Sequence, residues 1–255
     1  MAVSATNGAG PTAITAHGLR KQYRLGEHRN LRLTVNRLLR RPVENGQANL
    51  EALGGIDFTV HRGESLGIVG HNGSGKSTLL QILSGTTLPT GGKLRVCGRV
   101  LPLMAVGIGF HPELTGRENV KLFAASIGIP PKTVESRMEA VTRFAELERH
   151  MDTPTKRFSS GMLSRLSFAI AVQFPADIYV FDEVLAVVDA DFRSLCLEEI
   201  KRLHRDGRTV IFVSHDRDQI SDVCQRVMWL EDGRIQRLGP SDEVLAAYER
   251  HPQPA

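Results

Sequence analysis

The chain has 255 residues, of which 41% are hydrophobic and 24% charged, with a formal net charge of +4. This length bounds it to one large domain or a domain with an added lobe. The small positive excess fits an Arg-rich solvated surface and does not by itself indicate a nucleic-acid or anionic-lipid partner. No stretch approaches about 18 uninterrupted apolar residues, which excludes a membrane-spanning helix.

Residues 1–12 are small and glycine-containing, with no charged start followed by an apolar stretch, and read as a disordered leader. Residues 13–19 form a strand in a segment that runs to Tyr23. Residues 26–49 differ in kind. Arg29, Arg32, Arg37, Arg40 and Arg41 occur with no acidic residue between them, and Leu31, Val35, Leu38 and Leu39 fall on one helical stripe before Pro42 ends it. This helix either packs on its own domain or lies at a membrane surface or membrane partner.

A short apolar strand, Glu64 to Gly70, then meets the segment Gly70-His71-Asn72-Gly73-Ser74-Gly75-Lys76-Ser77-Thr78, followed by an amphipathic helix to Leu83. The segment fits Gly-x-x-x-x-Gly-Lys-[Ser/Thr], and strand, loop, helix is the context that the pattern requires. Gly73 and Gly75 permit a tight turn that points N–H groups at an anion, and the helix N-terminus adds a positive dipole end. Lys76 would place its charge on the β- and γ-phosphates, and the Ser77 hydroxyl would bind Mg²⁺.

Residues 91–98 read as a short antiparallel piece, and residues 115–151 as helical, with a break at Pro130-Pro131. A serine-glycine cluster, Ser159-Ser160-Gly161-Met162, opens a further helix that stops at Phe174 before Pro175. Residues 178–181 and 209–213 are continuous apolar runs, the mark of strands buried on both faces. Residues 227–235 turn at Asp232-Gly233 as a hairpin, and 242–250 form a last helix. Cys97, Cys196 and Cys224 form no Cys-x-x-Cys pair and read as reduced thiols of a cytoplasmic protein.

Three further features bear on chemistry. The strand 178–181 ends in Asp182-Glu183. Asp182 suits Mg²⁺, directly or through water, and Glu183 can polarise a water in line with the γ-phosphate. His215 follows strand 209–213, at the carboxyl edge of the sheet where a nucleotide sits; a histidine there can be structural, or can stabilise γ-phosphate charge or hold the attacking water. The Ser159–Met162 cluster is a second anion site, for which one domain has no use on a single triphosphate. Two domains facing head to tail do, each closing the other's nucleotide.

These motifs, in this order over residues 13–248, resemble the ATP-binding-cassette ATPases, whose signature is commonly Leu-Ser-Gly-Gly-Gln and here reads Phe158-Ser159-Ser160-Gly161-Met162. The resemblance implies an α/β phosphate-loop fold with a RecA-like core, an antiparallel β subdomain and a helical subdomain. The ATPase domain would span 13–250, with the basic insertion at 26–49, the helical lobe at 103–157 and a tail at 251–255. ATP and Mg²⁺ would be the cofactors, in a homodimer of cassettes. Residues 70 and 72–78 would hold the phosphates, Ser77 and Asp182 the metal, and Tyr23 would stack on adenine. Ser159, Ser160, Gly161 and Met162 would contact the opposite subunit's nucleotide, and Asp189 would link the two sites.

The signature, residues 107–119, residues 181–190 and the basic insertion further resemble the polysaccharide exporters, which include the O-antigen, lipid-linked glycan and teichoic-acid export ATPases. Among these the chain resembles an actinobacterial type, implying a lipid-linked galactan. The expected partners are two copies of a separate transmembrane permease and a lipid-linked polysaccharide, not nucleic acid. The expected place is peripheral, on the cytoplasmic face of the bacterial inner membrane. A soluble cassette ATPase of a cytosolic assembly and an importer ATPase are the alternatives. Two departures stand out. Residues 104–110 lack the glutamine that the family usually carries at the start of the helical lobe, and with the last helix expected to end near residue 250 of 255, the carbohydrate-binding domain of some O-antigen exporters is not expected here.

Overall fold

The computed structural model describes residues 10–24, 49–103, 109–183 and 188–251. The basic segment expected as a helix lies outside these residues, apart from Asn49. Strands β1 (Thr12–Arg24), β2 (Asn49–His61) and β4 (Gly91–Val96) form an antiparallel sheet in the order β2-β1-β4. In β2 the pleat sends Ile56, Phe58 and Val60 inward and leaves Asp57 exposed. This 13-residue strand was not evident from the sequence, where Gly54-Gly55 interrupts the pattern.

A second sheet has the order β5-β6-β7-β3-β8-β9. It comprises β3 (Ser65–Val69), β5 (Val100–Leu103), β6 (Ile178–Asp182), β7 (Thr209–Val213), β8 (Arg226–Glu231) and β9 (Arg234–Pro240). Its pairings are parallel except for the β8–β9 hairpin, which turns at Asp232-Gly233. All five residues of both β3 and β7 are buried, because helices or the other sheet cover both faces.

Alternate residues of this sheet feed two separate cores. Leu66, Ile68, Val180, Ile211, Met228 and Leu230 face the antiparallel sheet and helix α1 (Lys76–Leu83). Tyr179, Phe181, Val210, Phe212, Val227 and Trp229 face the other way, into a core shared with most of the remaining helices. Those helices are α2 (Gly116–Ser126), α3 (Pro131–Ala145), α4 (Ser160–Gln173), α5 (Ala190–Arg205), α6 (Arg217–Val223) and α7 (Ser241–Arg250). The period-2 alternation of a strand therefore decides which side of the molecule each residue supports.

Local chemistry sets the helix ends. Thr115 and Glu118 form a reciprocal capping box on α2. Pro131 occupies the first turn of α3, which stops at Ala145 because Glu146 takes a left-handed conformation, short of the end at residue 151 expected from the apolar pattern. Phe144 of α3, Phe168 of α4 and Phe181 of β6 are successive stacked neighbours, with centroids 5.9 and 5.7 Å apart, and Phe192 of α5 meets Phe144 and Phe168 edge-on. Each such pair adds about 0.5–1.5 kcal/mol beyond its burial. The column ends one residue before Asp182.

Candidate functional site

The parallel strands β3, β6 and β7 all end at one sheet edge, and each hands over to a sequence-predicted motif. Residues 70–78 follow β3, Asp182 closes β6 with Glu183 next, and Ser214-His215 follow β7. Register makes them neighbours: Asp182 pairs with Val213 across β6–β7, and the Glu183 N–H donates to the Val213 carbonyl at 3.0 Å.

The phosphate loop is held by close approach on two sides. A Cβ on Gly70 would lie 2.1 Å from the Leu230 carbonyl oxygen, and one on Gly75 (φ +106) would lie 2.5 Å from that of Ala52. Around Gly73 there is open space, so its demand is the positive φ of 84° alone. The Gly233 N–H, at the tip of the β8–β9 hairpin, donates to the Ser74 carbonyl at 3.0 Å, and the Gly233 carbonyl accepts from Gly54 N–H at 2.9 Å. The sequence marked this hairpin but not its contact with the loop, which needs β8 beside β3.

Lys76 is 7% exposed, and its ammonium donates to the carbonyls of Gly70 (2.6 Å) and His71 (2.9 Å). Burial holds it below the usual lysine value, while Glu183 and Asp182 pull it back up. Burial pushes the Asp182 carboxyl up to about 6, Glu183 adds to the rise, and Lys76 and a hydrogen bond with Ser77 oppose it. Since this value lies above that of the unfolded chain, stability tied to the neutral acid is fully present below about pH 4 and is lost as pH rises through about 6. Asp182→Asn should therefore stabilise the nucleotide-free protein at about pH 7.5 by about 1–3 kcal/mol, partial exposure trimming the figure. The margin should shrink towards about pH 4.5, as read from urea melts at the two pH values.

Glu183 has φ +51, which costs a non-glycine residue about 1–3 kcal/mol and persists only where its surroundings enforce it. Its Oε1 lies 2.8 Å from His215 Nε2, with both side chains open to solvent. The loop carrying His215 is fixed locally: Ser214 donates to Gln219 and accepts from the Asp216 N–H, both at 3.0 Å, and Asp216 caps α6.

The other predicted residues sit apart from this cluster. Tyr23, near the end of β1, pairs with Leu50 two residues before Ala52, so β2 connects it to the phosphate loop. The Lys21 ammonium lies 4.9 Å from the centre of the Tyr23 ring. Ser159 and Ser160 are exposed, and Ser159 caps α4 by accepting from Met162 N–H. Among the described residues no hydrogen bond or ion pair joins 159–162 to 70–78 of the same chain. Asp189 caps α5 and pairs with Arg165 at 2.8 Å. Arg165 was missed at the level of sequence, although it is the sole charged residue of α4.

A buried lysine in a glycine loop, a strand-end aspartate and a Glu–His pair on one edge of a parallel sheet define a phosphate-loop nucleotide hydrolase. The chain belongs to the ABC transporter family and is an ATP-binding, ATP-hydrolysing cassette: the family profile, ABC transporter, matches residues 53–186. It is 41% identical over 199 residues to the O-antigen export system ATP-binding protein RfbB of Klebsiella pneumoniae, covering 78% of this chain and 81% of that protein. It is 36% identical to the teichoic acids export ATP-binding protein TagH of Listeria monocytogenes, covering 82% and 62%. The fold is that of solved cassettes. The dimeric post-hydrolysis state of MJ0796 bound to ADP and Pi superposes with a TM-score of 0.73 at 22% identity, over 89% of this chain and 98% of that one. An ATP-binding subunit of an ABC transporter gives 0.75 at 21% identity, over 93% and 94%.

Proposed function

We propose that the chain drives export of a lipid-linked polysaccharide across the bacterial cytoplasmic membrane, working as a homodimer on two copies of a separate permease. The alignment with the Klebsiella O-antigen export protein, four-fifths of whose length the chain spans, carries this reading. Among the described residues no helix is long and apolar enough to cross a membrane. The membrane path therefore falls to another chain in this reading, and this one is peripheral on the cytoplasmic face. A galactan cargo is the finer expectation.

In this reading residues 70 and 72–78 hold the ATP phosphates and Tyr23 meets the adenine. Ser77 and Asp182 suit Mg²⁺: both offer hard oxygen donors, the Ser77 hydroxyl favours the charged form of the Asp182 carboxyl, and the half-buried carboxylate gains from a cation beside it. Mg²⁺, when bound there, neutralises charge on the phosphates. Glu183 accepts the proton of the attacking water or orients it, with His215 holding the carboxylate. Ser159, Ser160, Gly161 and Met162 face the opposite subunit's nucleotide; a Cβ on Gly161 would meet only Ser159 Oγ, at 3.8 Å, so a ligand can come close to the backbone there. The helical lobe, 103–157, transmits closure to the permease through residues 111–117. That loop is held by buried Asn119, which accepts from His111 N–H at 2.6 Å and donates to the carbonyls of His111 and Leu114 at 3.0 Å.

The test is purification from detergent-solubilised native membranes, with identification of what accompanies the chain by mass spectrometry. A multi-helix permease at one-to-one stoichiometry, from a locus rich in glycosyltransferases, is the expected result. Recovery only with soluble partners, or beside a periplasmic binding protein, would overturn the export reading.

A further inference from the structure

We infer that Arg165 is a positioning residue that joins the two ATP sites of the dimer through the body of each subunit. This rests on the paired-site reading above. Each subunit contributes to two sites: its phosphate loop, Asp182 and Glu183 to one, and its signature to the other. Cooperation between the sites needs a physical connection between these two parts of one chain.

Arg165 lies in α4, one turn beyond the signature, in a helix otherwise made of small, apolar and neutral polar residues. Its guanidinium engages three elements at once. One nitrogen bonds the carboxylate of Glu146, the left-handed residue that ends α3. Another lies 2.8 Å from Oδ2 of Asp189. The planar head stacks 4.5 Å from the centre of the Phe192 ring. The Arg165 side chain is 20% exposed, whereas Glu146 and Asp189 are 61% and 54% exposed, so the pairs meet solvent on the carboxylate side.

Asp189 uses both oxygens. Oδ1 accepts from Phe192 N–H at 2.9 Å, capping α5, while Oδ2 takes Arg165. Its carboxyl is held below the usual range by the Phe192 N–H and by the guanidinium. Asp189 follows Glu183 by six residues, and Phe192 packs on Phe168, which stacks on Phe181 just before Asp182. One guanidinium therefore spans from the helix that opens with the signature to the aromatic column that ends beside the catalytic carboxylates. Arginine suits the position because its planar fork serves two carboxylates and a ring face together, which a lysine ammonium does not.

Two variants test this. Arg165→Gln removes the charge from all three contacts. Asp189→Asn keeps the α5 cap, since Asn caps as well as Asp, and removes only the charged partner. Both are expected to bind ATP as dilute monomers within about twofold of wild type, because neither residue touches the phosphate loop. The Hill coefficient of ATP hydrolysis should fall from near two to about one, with kcat lower by about tenfold. A general loss of folding would instead lower ATP binding and activity in proportion. If Arg165→Gln does not fold, Asp189→Asn carries the test alone. Wild-type cooperativity in a folded Asp189→Asn protein would overturn the role of Arg165. A wild-type chain that hydrolyses ATP without cooperativity and forms no ATP-dependent dimer would overturn the paired-site reading itself, and the inference with it.

Discussion

Glu183→Gln is expected to lower ATP turnover by about 10²–10⁴-fold, the usual contribution of a positioned general base, while ATP still binds and the nucleotide-bound dimer accumulates. The substitution is isosteric, so the strained backbone at φ +51 and its N–H bond to Val213 can persist. What disappears is the carboxylate that lies 2.8 Å from His215. An amide in that place cannot accept a proton from water. Binding should survive, because Lys76 and the loop backbone are untouched and one like charge beside Asp182 has gone. Steady-state phosphate release, with size-exclusion chromatography in ATP, separates the two effects. Turnover at the wild-type rate would remove Glu183 from the role proposed for it.

Lys76→Ala is expected to weaken ATP binding by about 10–100-fold, corresponding to the loss of charge-assisted hydrogen bonds worth about 1.5–3 kcal/mol, and to bring hydrolysis to background. Lys76 is the buried cation that faces Asp182 and Glu183 at this sheet edge. Without it two carboxylates remain near the position of the γ-phosphate with less to offset them. The carbonyls of Gly70 and His71 also lose their donor. Lys76→Arg should rescue poorly, since the slot admits a compact ammonium and a guanidinium is broader. Titration with a fluorescent ATP analogue reads the affinity. Binding within about twofold of wild type would contradict the placement of the phosphates at this loop.

Both predictions concern residues that stand out in the linear chain, because each belongs to a short motif whose parts are adjacent in sequence. The loop residues 70–78, the Asp182-Glu183 pair and His215 follow buried apolar runs, and such runs can only be the inner strands of a covered sheet. The hairpin at Asp232-Gly233 and the caps at Thr115 and Ser159 are local in the same sense. Strand β2 and helices α5 and α6 were less visible. Glycines interrupt the strand, and a mostly polar α5 gains its stability from Phe192, Cys196, Ile200 and Leu203 only once they meet the sheet.

The sequence by itself determined the class, an ATP-hydrolysing cassette, and set the expectations for the rest: which residues face a triphosphate, which hold a cation, and that two anion sites call for two subunits. It did so because phosphate loops and strand-end carboxylates are set by neighbours a few positions away. Only the tertiary structure decided what braces them. The Leu230 and Ala52 carbonyls shape the loop from strands far away in the chain, Gly233 pins Ser74, and Arg165 spans Glu146 and Asp189. Those contacts depend on strand order and on the helix packing over the sheet, and the residues that make them carry no local pattern that a linear reading can detect.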